Sequence, residues 1–70
     1  MADYRVHYNT TADPAISGSV FVPEDKTESV LEYIRENFEA PVWEQVKGGE
    51  TLPPESLIRD WFISEGLPWP

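Results

Sequence analysis

Prolines at positions 14, 23, 41, 53 and 54 set the outer limits of what this chain can fold into. Each lacks an amide proton, and each biases the residue before it away from helix, so regular structure must fit the intervals between them. In the first interval Tyr4, Val6 and Tyr8 alternate with Arg5 and His7, the period-2 pattern of a strand with one buried face, predicted over residues 3–9. Asn9 to Pro14 is polar and ends in Asp-Pro, a loop signature. A β-branched pattern then resumes over residues 16–22 and stops at Pro23, giving a second strand antiparallel to the first. Gly18 within it marks a bulge, a close approach, or merely a small residue.

The next interval reads as a helix over residues 26–39. Asp25-Lys26-Thr27-Glu28 fits a capping box, Thr27, Val30, Leu31, Ile34 and Phe38 form its apolar face, and Pro41 ends it through Ala40. Beyond Pro41, Val42 to Val46 predicts a third strand, Lys47-Gly48-Gly49-Glu50 a turn, and Thr51-Leu52 room for a short fourth strand. Pro53-Pro54 leads into a second helix with Leu57, Ile58, Trp61 and Phe62 as its apolar stripe. Gly66 caps it, and Leu67 to Pro70 is a non-helical tail. The expected fold class is α+β: a small antiparallel sheet of three strands, four if Thr51-Leu52 pairs, with one helix on a face and a second C-terminal helix, in the order β-β-α-β-α. Residues 1–70 make one acidic domain, and with no cysteine its stability rests on packing of nine aromatic residues and the aliphatics.

Thirteen acids against five bases give a net charge of −8, which opposes direct contact with nucleic acid or an anionic membrane and suits a basic partner. Met1-Ala2-Asp3-Tyr4-Arg5 has neither the charged nor the apolar region of a secretory leader, no apolar run reaches membrane-spanning length, and the expected location is the cytoplasm. Asn9-Thr10-Thr11 matches a glycosylation sequon by chance on that view. The single His7 has no thiol to activate, the serines sit in no nucleophile-elbow context, and Gly48-Gly49 is not a phosphate loop. A convex acidic surface offers neither the cleft that paired carboxylates need for acid-base work nor the loop that Ca²⁺ requires. No enzyme activity, cofactor or metal is expected.

The acids themselves are patterned. Asp25, Glu28, Glu32, Glu36 and Glu39 recur at steps of three and four, so on a helix they fall within an arc of roughly 80°, opposite the apolar face. Like charges at i,i+4 spacing cost about 0.2–0.5 kcal/mol per contact, and only Arg35 is placed to offset them within the helix, through Glu32 and Glu39. Such a row either is simply solvated or imitates a line of phosphates for a protein groove built to hold nucleic acid. Glu44, with Glu55, Asp60 and Glu65 of the second helix, widens that surface if it shares the side. The aromatic residues make a second candidate: Trp43 and Trp61 as core, and Trp69, in a proline-flanked tail, either folded back under the sheet or presented to a partner. The candidate partner-binding set is therefore Asp25, Glu28, Glu32, Glu36, Glu39, Glu44 and Trp69. The partner is the basic groove of a protein or ribonucleoprotein complex, and the chain itself a monomer or weak homodimer.

Val20-Phe21-Val22-Pro23, Thr27-Glu28, Leu31-Glu32, Ile34, Phe38 and Val42-Trp43-Glu44-Gln45-Val46, all between Gly18 and Lys47, resemble the strand-helix-strand core of the phage inhibitor of bacterial RNA polymerase. In size, acidity and order of elements the whole chain resembles small phage-encoded inhibitors more widely, anti-CRISPR proteins among them. The resemblance implies a non-enzymatic protein that binds a nucleic-acid-handling complex and occludes its substrate path. The alternative is a regulatory module that binds through Trp61, Trp69 and neighbouring apolar surface.

Overall fold

Alternation in the first stretch produces the expected hairpin. A computed structural model describes residues 3–10 and 17–70, and in it β1 (Tyr4–Asn9) pairs antiparallel with β2 (Ser17–Val22). The loop expected through Pro14 and the start of the second strand at Ile16 lie outside the described residues. Val6 opposes Val20 and Tyr4 opposes Val22, which turns Val6, Val20 and Val22 into the interior. The register is unbroken at Gly18, so that glycine is no bulge: it faces Tyr8, and a Cβ there would lie 2.8 Å from the tyrosine Cζ and Oη. Any larger residue there would have to displace the end of the ring laid across it.

Pro23 ends β2, and its carbonyl accepts from the Lys26 amide, opening a 3-10 turn, Glu24–Lys26, that runs into α1 (Thr27–Glu36). The capping box does not form. Asp25 sits inside the 3-10 turn, and Lys26, at the cap position, makes no side-chain cap. Glu24 and Asp25 still place negative charge at the positive end of the helix. The helix also stops short of Glu39, because Asn37 folds its amide back onto the Tyr33 carbonyl at 2.7 Å and closes the last turn.

After α1 the expectation of a third strand fails. Ala40–Lys47 is a helix, α2, with Glu39 extended at its N-cap and Pro41 in its first turn, where a missing amide proton costs nothing. Pro41 thus starts a helix instead of merely ending one. Gly48 and Gly49 belong to its C-terminus: Gly49 takes φ +82, its amide reaches the Val46 carbonyl, and the Glu50 amide reaches Gln45, the paired bonds of a Schellman cap. Thr51-Leu52 is no strand. The chain instead meets β1 once, where the Asn9 amide donates to the Pro53 carbonyl at 3.0 Å, and then enters α3 (Glu55–Ser64). Gly66, at φ +71, closes α3 with the same pair of bonds, from Gly66 to Ile63 and from Leu67 to Phe62.

The fold is therefore α+β, with a two-stranded antiparallel sheet and three α-helices among the described residues, ordered β-β-α-α-α. Two strands alone are marginal in water, and the helices supply what the hairpin lacks. Val30 and Ile34 of α1 and Ile58, Trp61 and Phe62 of α3 join the three hairpin valines in one buried cluster. Trp61 is its largest fully enclosed side chain, and a buried tryptophan removes on the order of 150–250 Å² from water. Its indole N–H donates to Ser29 Oγ at 3.3 Å, so burial leaves no polar atom stranded. The tail folds back: the half-buried Trp69 ring lies 5.6 Å from Tyr8 and 5.2 Å from Phe62, centroid to centroid. Gly18, Tyr8, Trp69 and Phe62 thereby form a continuous row of contacts from the hairpin to α3, the last pair edge to face.

Candidate functional site

Helical geometry places the acids of α1. Glu28, Glu32 and Glu36 lie four residues apart and are all exposed, each step turning the side chain about 40° further round the helix. Glu28 accordingly borders a recess shared with α2, Glu36 borders one shared with α3, and Glu32, at the crest, borders both. Asp25 and Glu39 are exposed but lie off the helix, one in the 3-10 turn and one in the link to α2. The row of five is thus a helical run of three with an acid beyond each end.

None of these acids is in an ion pair among the described residues, although Arg35 and Lys47 border the same recess as Glu28 and Glu32. The ion pairs among the described residues are Lys26 with Glu65 and Arg59 with Glu55, both at 3.4 Å. The expected contacts of Arg35 with Glu32 and Glu39 are not made. Glu65 does come alongside the row: with Ser29, Glu36 and Trp61 it walls the α1–α3 recess, of about 200 Å³. There the Ser29 hydroxyl donates to Glu65 Oε1 at 3.4 Å, linking the Trp61 indole, Ser29, Glu65 and Lys26 in one chain. Glu44 is exposed on α2 and borders neither recess, while Glu55 is taken up by Arg59.

The other side of α1 takes its shape from residues 42–46, which are helical and not the expected strand. As a helix that segment brings Trp43, Val46 and Lys47 against α1 and β1, and the three elements enclose a groove of about 350 Å³. Leu31, Ile34 and Leu52 complete its apolar lining, Arg5 and Lys47 border it, and no carboxylate among the described residues does. The available signal was Lys47 in a last turn followed by Gly48-Gly49, a helix end as much as a hairpin turn.

Other candidates acquire plain roles. Trp61 is enclosed, and the half-buried Trp69 ring packs against Tyr8 and Phe62. His7 is exposed and sits opposite Ser19 across the hairpin, but no hydrogen bond joins them and no carboxylate orients the imidazole among the described residues. Among the described residues no three metal-ligating side chains converge, and no helix is long and apolar enough to cross a membrane. Comparison with protein-family models, with curated proteins and with solved structures finds no match for this chain.

Proposed function

We propose that this chain is a small non-enzymatic inhibitor that sets its α1 acids into a basic groove of a nucleic-acid-handling protein or ribonucleoprotein complex, in the manner of anti-CRISPR proteins. A host RNA polymerase is the alternative target of the same kind. The observation that carries the reading is a run of exposed carboxylates, Glu28, Glu32 and Glu36, in no ion pair among the described residues, in a helix that tolerates their mutual repulsion. At ~1.5 Å rise per residue they follow one another every ~6 Å, a charge density of the same order as one phosphate per ~3.4 Å of a nucleic-acid strand. A groove lined with lysine and arginine for phosphate meets a comparable row here. Binding of this kind is steered by charge, and salt weakens it.

The test combines capture and substitution. The tagged protein is loaded with bacterial lysate and eluted by a salt gradient, with and without competing DNA and RNA. A nucleic-acid-binding complex displaced by both is the expected result. Replacing Glu28, Glu32 and Glu36 together by Gln should weaken capture at least about tenfold, while removal of the i,i+4 repulsions leaves folding intact or steadier by a few tenths of a kcal/mol. An unchanged affinity removes α1 from the mechanism. The aromatic-tail alternative predicts the opposite pattern, a partner indifferent to salt and lost on truncation after Leu67; the packing of Trp69 onto Tyr8 and Phe62 favours the acidic face.

A further inference from the structure

The geometry points to a second binding surface, separate from the acidic row: the groove between β1 and α2 accepts an extended, acidic peptide segment of a partner protein, paired to the open edge of β1. Along an antiparallel strand the N–H and C=O of one residue point to the same side, and successive residues alternate. The Asn9 amide bonds Pro53, on the side away from β2, so the main-chain groups of His7 and Arg5 point to that side too. Nothing pairs with them as a strand, because the sheet consists of β1 and β2 alone among the described residues. The chain begins a strand addition at Pro53 and Pro54, makes one bridge, and leaves for α3. A peptide continuing along the same edge takes up the ladder where the chain abandons it.

Beneath that edge lies the recess lined by Leu31, Ile34, Trp43, Val46 and Leu52, which suits the inward-facing side chains of an extended segment. Its charge is the inverse of the molecule's. In a chain of net charge −8, Arg5 and Lys47 border the groove without any acid among the described residues, while in the adjoining recess Arg35 and Lys47 lie beside Glu28 and Glu32. None of these three cations is in an ion pair among the described residues, whereas Lys26 and Arg59 are. Cations beside an open edge discourage random pairing, but a guard alone needs no apolar recess. A second copy of the chain brings the same cations to the same edge and is repelled. A helix leaves the edge amides unused, and nucleic acid has no side chains for the apolar floor.

The intact protein is to be panned against displayed random peptides of about eight residues, a strand's length. The expected winners alternate apolar residues with Asp or Glu, and a synthetic peptide of that consensus moves the amide resonances of Arg5, His7, Trp43 and Val46. Lys47→Glu, at an exposed position, should weaken that peptide about tenfold and Lys47→Gln less, with the remaining resonances unmoved. N-methylation of alternate peptide amides should abolish binding by removing the ladder donors. Replacing Glu28, Glu32 and Glu36 by Gln should leave it intact or slightly tighter, so the two surfaces fail or stand separately. No enrichment, winners without acids, indifference to N-methylation, or resonance changes on the α1–α3 side overturn the proposal. So does a dimer paired through β1 that the peptide cannot dissociate.

Discussion

The two flanks of α1 differ more than one helix has reason to allow. On the α3 flank the recess is polar and acidic, and a chain of contacts from Trp61 through Ser29 and Glu65 to Lys26 ties the helices together. On the α2 flank the groove is apolar, bordered by cations, and crossed by no hydrogen bond between side chains among the described residues. One flank is built as a joint and the other as an opening. A net charge of −8 is therefore a poor description of this surface, because helix geometry spreads the charge unevenly: Glu36 joins Glu65 on the α3 side, Glu28 and Glu32 share the α2 side with Arg35 and Lys47, and the groove beyond them toward β1 is bordered by Arg5 and Lys47.

Breaking the joint should have the largest effect. Trp61→Ala empties the centre of the cluster and removes the indole that meets Ser29, and deletions of this size cost about 3–5 kcal/mol. In a protein this small that approaches the whole stability, so urea titration of the variant should show little or no folded baseline. A loss below about 1 kcal/mol would mean that the α1–α3 flank is not what holds the helices, and the contrast between the flanks would collapse.

The legible part of this fold is the part whose pattern was longer than one turn. The hairpin, the apolar face of α1, the stripe Leu57, Ile58, Trp61 and Phe62, and the Gly66 cap all emerge as periodicity and punctuation lead one to expect. The segment from Pro41 to Leu52 does not. Val42 and Val46 with Trp43 between fit a strand at period 2 and a helix at i, i+3, i+4 equally well over so short a window, and Gly48-Gly49 serves a hairpin or a C-cap. What decided it was tertiary: as a helix the segment turns Trp43 and Val46 against the cluster, with Pro41 placed where its missing proton is harmless. That one reversal also concealed the β1–α2 groove, since a third strand would have covered it. The acids of α1 were legible as a row because their spacing alone sets their face; that Arg35 leaves them unpaired was not, since rotamers are not written in spacing.

The opening can be disturbed without touching the joint. Gly49 holds a left-handed conformation, so Gly49→Ala should cost about 1–2 kcal/mol and loosen the end of α2. Open space surrounds the position, so the strain is in the backbone and not in a clash. Amide resonances of Trp43, Val46 and Lys47 should shift, along with Arg5 across the groove, while those of Ser29 and Glu65 stay put. If both sets move together, the flanks are one cooperative unit and the distinction between joint and opening is lost.

The smallest effect is also the finest test. Ser29→Ala takes the acceptor from the Trp61 indole and the donor from Glu65 while leaving the packing around the ring unchanged. A net hydrogen bond of this kind contributes about 0.5–1.5 kcal/mol, and the Lys26–Glu65 pair, on the surface, contributes less still once its hydroxyl neighbour is gone. Thermal unfolding should therefore shift down by a few degrees, given the steep dependence of midpoint on stability in small domains. Added salt should narrow the difference between variant and parent only slightly, because the neutral indole–hydroxyl bond is the larger share. A variant as stable as the parent would make the chain of contacts a surface arrangement, and α1 and α3 would be joined by the enclosed Trp61 ring alone.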